Sequence, residues 1–321
     1  MDPHSLIPAV RRMMNLPPEA AVMCRELSVH AAESRVFEVA VDAGAGPGGM
    51  AIHAALKRFT IPRPNERVRR DVDLTERLLR HGVSTPRVLA ASADEGLLLI
   101  EWAGSTTLAD LLTRKDPVGP AVWTSVVAEL ARLHAALDRE YGARQAMPAW
   151  TFSAEQRAEW AAAGLEEWRR WLDKERMPGF PSGADRKTAA CASRLAKEPM
   201  NAIIWGDCNP RNVMIENGRP RFIDFQLKRS SLMLDLVLLF SFADEPETYI
   251  PAASAHEFLS AYHAAREDGA GSPAHLQTWY DDELLWRLLV YGGNLLRGGA
   301  LRTPRWSVIC RAMLPDLRAL L

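Results

Sequence analysis

The chain has 321 residues, roughly twice an ordinary domain, so two lobes around a cleft are expected rather than a single core. Its 39 lysines and arginines nearly balance 40 aspartates and glutamates for a net charge of -1, which gives no basic excess for nucleic acid or a membrane surface. With 48% hydrophobic and 25% charged residues, a largely disordered chain is also excluded. The four cysteines, Cys24, Cys191, Cys208 and Cys310, form no CxxC pair, which disfavours a zinc ribbon or a disulfide framework. The opening MDPHSLIPAVRRMM has no long apolar core, so no export signal and a cytoplasmic location are expected.

In chain order, residues 26–59 read as antiparallel strands, with alternating apolar runs at 35–41 and 50–59 flanking a glycine-rich turn at 44–49. Asn65 is expected to cap a helix whose inward face carries Val68, Asp71, Leu74, Thr75 and Leu78, and Gly82 to stop it. Residues 87–89 and 97–100 read as two further strands. Beyond about Gly104, helical periodicity takes over at 108–112, 122–137, 154–172, 257–265 and 282–296. One island of short strands interrupts it, at 203–204, 213–215 and 221–224, with a turn at Asn217-Gly218. The expected division is therefore an N-terminal sheet lobe, residues 1–104, and a mainly helical lobe, residues 105–321.

The chemistry concentrates in that island, in IWGDCNPRNVMI at residues 204–215 and FIDFQ at 222–226. Phosphoryl transfer needs a carboxylate that accepts the acceptor's hydroxyl proton, and oxygen ligands that hold magnesium on the phosphates. Asp207 suits the first role, and Asn212 and Asp224 suit the second. Aspartate and asparagine are also common turn-capping residues, so the D-x-x-x-x-N spacing alone is weak, and the following I-D-F strengthens it.

These motifs resemble those of the aminoglycoside phosphotransferase and choline kinase-like superfamily. The family's H-G-D-x-x-x-x-N loop corresponds to residues 205–212 and its I-D-[FW] motif to residues 223–225. The D-L that anchors the catalytic loop is matched at Asp235-Leu236, and the L-x-x-L-H signature ends at His134. GVSTPRVL at 82–89 and LLLIEWAG at 97–104 are similar to its segment before the hinge and to the hinge itself. The resemblance spans about residues 25–300. It implies an α+β, bilobal protein-kinase-like fold and a small-molecule O-kinase using ATP (or GTP) and Mg2+. It makes Asp207 the catalytic base and Asn212 and Asp224 the magnesium ligands. It places Lys57 on the α and β phosphates with Asp71 as its helix partner, where relatives carry glutamate, and Ser34 in a phosphate-covering loop at 30–35. Adenine would meet the Ile100 carbonyl and the Trp102 amide. The glycines at 44–49 imitate a phosphate loop but fall between the wrong strands. Two departures stand out: Trp205 replaces the usual histidine, and Gln226 occupies the position of a protein-kinase glycine.

The acceptor is expected to be a small molecule bearing a hydroxyl, either an antibiotic such as an aminoglycoside or another natural product, or a metabolite such as choline or a sugar. Residues 235–283 carry ten acidic residues against Arg266 alone, whereas residues 284–321 carry six arginines against one aspartate. An acidic cleft would attract a cationic acceptor; a solvated helix surface is the equal alternative. Trp160, Trp168 and Trp171 share a helix face that packs or lines a site, His134 reads as a structural histidine, and Cys208 as a small filler or a reactive thiol. A protein kinase is disfavoured because no A-P-E-like segment follows Asp224. A nucleotide-binding pseudoenzyme rests only on Trp205 and Asp71. The oligomeric state is not readable.

Overall fold

The computed structural model describes residues 2–27, 33–42, 51–114, 118–142, 152–198, 202–241, 246–266, 272–298 and 304–321. The chain divides into two compact units, the first made of residues 1–105 with 214–217 and 221–223, and the second of the remainder.

The first unit opens with a short 3-10 turn and helix α1 (Ile7–Met13), followed by strands β1 (Ala21–Glu26), β2 (Ser34–Asp42) and β3 (Ala51–Phe59). Helix α2 (Pro64–Arg80) and strands β4 (Val88–Ser92) and β5 (Leu97–Glu101) complete it, and the five strands form one antiparallel sheet in the order β1-β2-β3-β5-β4. Period-two alternation gives the sheet two apolar faces. Phe37, Val39, Ala54, Leu56, Leu97 and Leu99 pack with Leu6, Ala9 and Val10 of the N-terminal helices, while Phe59 and Leu98 pack with Val68 of α2. Pro64 rather than Asn65 begins α2, because proline at the first helical position lacks an N–H that would be unpaired anyway. Gly82 follows the helix at φ 72°, as a left-handed terminator should.

The second unit is helical: α3 (Leu108–Leu112), α4 (Pro120–Tyr141), α5 (Ala154–Lys174) and α6 (Ala184–Leu195) precede the strands. Capping boxes at Thr107/Asp110 and Ser153/Gln156 set the starts of α3 and α5. Strand β6 (Ala202–Ile204), a 3-10 turn (Pro210–Asn212), β7 (Val213–Glu216), β8 (Arg219–Phe222) and β9 (Lys228–Ser230) follow in the chain, residues 214–217 and 221–223 of the β7–β8 segment counting with the first unit. The β7–β8 hairpin turns at Asn217 and Gly218, with φ 51° and 75°, which is the primed geometry that asparagine-glycine favours. Strand β9, which the sequence pattern does not signal, pairs antiparallel with β6. Then come α7 (Leu232–Ser241), α8 (Ala252–Ala265), α9 (Pro273–Arg287), a π turn (Leu288–Gly292), α10 (Gly293–Arg297) and α11 (Pro304–Leu320). The helix expected at 282–296 is thus three segments. Gly164 of α5 packs directly on the π turn: a Cβ there would lie 2.6 Å from the Leu289 carbonyl carbon.

Candidate active site

In the second unit, the loop between β6 and β7 presents Asp207. Asn209 caps the 3-10 turn by accepting from the Arg211 amide, and its own amide donates to Asp207 Oδ1 at 3.0 Å. Asn212 donates to Asp207 Oδ2 at 3.0 Å and to its carbonyl at 3.0 Å. Gln226 Nε2 donates to the same Oδ2 at 3.3 Å. Three side-chain amides therefore fix one carboxylate. Sequence reasoning gave a role only to Asn212 and noted Gln226 as a departure from the family's pattern; the Asn209-Pro210 dipeptide is a turn signal that could have pointed to Asn209.

The loop at 224–226 is tied to the same segment. Trp205 Nε1 donates to the Asp224 carbonyl at 3.2 Å, and the Gln226 amide donates to the Trp205 carbonyl at 3.1 Å. Asp224 adopts φ 60°, a left-handed conformation costly for a residue with a Cβ. Gly206 sits at φ 78°, where a Cβ would collide with the Gln226 carbonyl and approach Lys228 Cδ to 3.0 Å, so only glycine fits.

A buried junction holds these loops from behind. Asp235 of α7 accepts from the Trp205 amide at 2.6 Å, the Gly206 amide at 3.0 Å and His134 Nε2 at 3.0 Å. His134 of α4 places its other ring nitrogen 2.6 Å from the Tyr262 hydroxyl of α8. Both His134 and Asp235 are wholly inaccessible, so His134 is a structural residue and Asp235 anchors the loop that presents Asp207.

Burial is the main cause that raises the Asp207 carboxyl above its ordinary range; the Asn209 amide opposes it, the neighbouring Asp224 adds to it, and Asn212 and Lys228 oppose it. A carboxylate kept from ionising too readily is a better proton acceptor. Among the described residues no group of three or more His, Cys, Asp or Glu side chains forms a metal cage. One amide and one carboxylate still fit magnesium, which binds through one or two protein oxygens with phosphates and water completing its octahedron.

The remaining candidates lie in the first unit. Ser34 begins β2 and is buried; Lys57 on β3 is also buried, on the α2 side of the sheet, paired across strands with Val36 and Leu98. Asp71 faces the sheet from α2 and accepts both its oxygens' bonds from Arg67 Nε at 2.9 Å, while Arg67 also reaches Glu33 at 2.7 Å. Ile100 stands in β5 beside Ala55 and Val88. The Trp102 amide donates to the His53 carbonyl at 3.2 Å, and the two rings stack at 4.2 Å, so adenine would have to displace that bond. Residues 30–32 of the loop expected to cover the phosphates and the glycines at 44–49 lie outside the described residues.

Other candidates take structural places. Trp168 and Trp171 are buried, with the Trp168 indole donating to the Leu288 carbonyl at 3.0 Å, so they pack the helix face. Cys208 is buried and its thiol is pushed well up by burial, which makes it a filler. Four carboxylates of the acidic run have internal partners: Asp235 faces His134, Asp281 faces His256 at 2.6 Å, Asp282 pairs with Arg194 and Glu283 lies 3.7 Å from Arg157, while Glu247 and Glu257 are exposed. Asp244, Glu245, Glu267 and Asp268 lie outside the described residues. No helix among the described residues is long and apolar enough to cross a membrane.

A carboxylate steadied by an asparagine five residues on, beside a second aspartate after a short hairpin and with a sheet unit preceding it in the chain, defines a protein-kinase-like phosphotransferase. The chain belongs to the phosphotransferase enzyme family abbreviated APH, which it matches over residues 27–267, and is a small-molecule kinase acting on hydroxyl groups. No curated protein matches the sequence. Among solved structures it is similar to the choline kinase LicA from Streptococcus pneumoniae, with 13% identity, a TM-score of 0.53 and 98% of this chain and 99% of that one covered. It is also similar to the ADP-bound aminoglycoside phosphotransferase APH(2'')-Ib, with 10% identity, a TM-score of 0.52 and 98% of both chains covered. The APH(2'')-IIa structure with gentamicin matches at 11% identity and a TM-score of 0.52, over 99% of this chain and 96% of that one. At these identities the likeness is one of fold.

Proposed function

We propose that the chain transfers the γ-phosphoryl group of ATP to a hydroxyl of a small natural product or metabolite, with Asp207 as the general base. The observation that carries this reading is the Asp207 carboxylate itself, half-buried, oriented by three amides and held above its ordinary pKa range next to Asp224. One Asp207 oxygen takes the hydroxyl proton as the acceptor oxygen forms its bond to phosphorus. The bond to the β–γ bridging oxygen breaks and ADP departs. Asn212 and Asp224 would hold magnesium, which when bound neutralises charge on the phosphates. Lys57, on its buried strand, would bind the α and β phosphates, with Asp71 and Arg67 shaping the charge on the facing helix. Ser34 would contribute to the phosphate cover, and Ile100 and Trp102 would border the base.

Antibiotic and metabolic acceptors are both consistent with the family. A cationic acceptor is favoured less by the acidic segment than its composition suggests, since four of its carboxylates have internal partners. The test is magnesium-dependent ADP release over aminoglycosides, other antibiotics, choline and sugars. Acceptor-dependent turnover abolished by Asp207→Ala supports the reading. Nucleotide binding without turnover across the panel would leave a pseudoenzyme.

A further inference from the structure

We infer that Trp205 is a positioning residue for the metal-binding loop: its indole N–H holds the Asp224 carbonyl and so presets the Asp224 carboxylate for magnesium. This inference rests on the function proposed above. Three polar atoms of Trp205 are engaged at once. Its amide donates to Asp235 at 2.6 Å, its carbonyl accepts from the Gln226 amide at 3.1 Å, and its indole donates to the Asp224 carbonyl at 3.2 Å. Its ring is inaccessible and lies 5.4 Å from that of Phe225. The residue thus grips the loop on both sides of Phe225 and fastens it to the anchor beneath the catalytic loop.

The grip falls where the backbone needs it. Asp224 stands at φ 60°, and a residue with a Cβ keeps such a conformation only where its surroundings impose it. An indole is a donor with no acceptor capacity, so it can only hold an acceptor such as a carbonyl, and with the Trp205 side chain inaccessible its N–H has no water to turn to instead. The position that carries a histidine in the family's motif therefore keeps a ring N–H here while changing the ring. The bond should govern how well magnesium strengthens nucleotide binding, not nucleotide binding itself.

Calorimetric titration of ADP, with and without magnesium, tests this on the full chain. In the unaltered protein, magnesium should tighten ADP binding. Trp205→Phe should leave metal-free ADP affinity within about twofold while reducing the magnesium-dependent gain about five- to tenfold, as expected for one lost buried hydrogen bond. Trp205→His, which restores a ring N–H, should recover most of the gain. In turnover, the phenylalanine variant should lose kcat with little change in acceptor KM. An undiminished magnesium gain in Trp205→Phe overturns the inference, and so does an equal loss of metal-free affinity that Trp205→His does not relieve. If the phenylalanine variant does not fold, indole 15N spectra of the unaltered protein decide. At least one of its ten indole N–H signals should resist solvent exchange and shift when magnesium joins the ADP complex, and ten unresponsive signals refute the idea. If magnesium gives the unaltered protein no gain in ADP affinity, the proposed function itself fails and takes this inference with it.

Discussion

Asp235→Ala is the most informative single perturbation of the catalytic loop. The wild-type carboxylate accepts from two backbone amides, those of Trp205 and Gly206, and from His134 Nε2, all where no water reaches. Alanine leaves both amides buried without an acceptor, at about 1–3 kcal/mol each, and strips His134 of its carboxylate. Together with the lost hydrogen bond to His134, that is a large part of a total stability of about 5–15 kcal/mol. Removing the desolvated carboxylate offsets some of this, so we expect a net loss of about 3–4 kcal/mol and a fall in Tm on the order of 10 °C. Urea unfolding followed by circular dichroism measures it, with the midpoint falling and the slope unchanged. Asp235→Asn keeps an acceptor for one amide but turns its own N–H groups toward the other, so it should lose less stability while still reducing kcat. A loss below about 1 kcal/mol for the alanine variant would refute the view that this carboxylate bears the loop.

Asp207→Ala should lower kcat by about 10²–10⁴, the range for a general base, in the ADP-release assay. Because the folded-state pKa of Asp207 is raised, its ionised form costs native stability, a cost absent at low pH that grows as pH rises through the folded pKa. In chelator, Asp207→Asn should therefore melt above wild type at pH 8, with the difference shrinking toward pH 4, and the acid limb of wild-type kcat/KM should lie above the ordinary carboxylate range. Gly164→Ala should destabilise by about 3 kcal/mol or prevent folding, because the added Cβ meets the Leu289 backbone and outweighs a gain in helix propensity of about 1 kcal/mol; chemical denaturation checks it. All four thiols are buried, with Cys24 pushed up to about 11 and Cys310 to about 12, so a thiol reagent should modify none of them at pH 8 before unfolding.

How much of this was legible depends on the distance in sequence over which each feature is decided. Strands β2 to β5, the hairpin turn at Asn217-Gly218 and the bodies of α4 and α5 follow local periodicity and turn chemistry and stand within a few residues of where the pattern placed them, whereas β1 lies just ahead of the strand region read from residue 26. Asp207 and Asn212 were readable because one short loop contains both. The same reasoning does not reach contacts between residues remote in sequence. The Trp102 amide looks available from its hinge position, yet β3 places the His53 carbonyl against it, 49 residues back in the chain. Asp71 reads as the partner of Lys57, while an arginine one helical turn earlier binds both of its oxygens.

The acidic run between residues 235 and 283 carries the same lesson into function. Counted along the chain, its charges sum to a cleft that attracts cations. In the fold, Asp235 is turned inward to hold two amides and a histidine, and Asp281, Asp282 and Glu283 are matched by His256, Arg194 and Arg157 from other helices. A paired charge contributes little to the field at a distance, so these four carboxylates give a cationic acceptor less attraction than the net charge of the segment implies. Neutral acceptors therefore belong in the screen on equal terms with cationic ones, and turnover of a neutral acceptor that resists added salt is the outcome this charge pairing predicts. A rate that falls steeply with ionic strength would show instead that an unpaired acidic field remains.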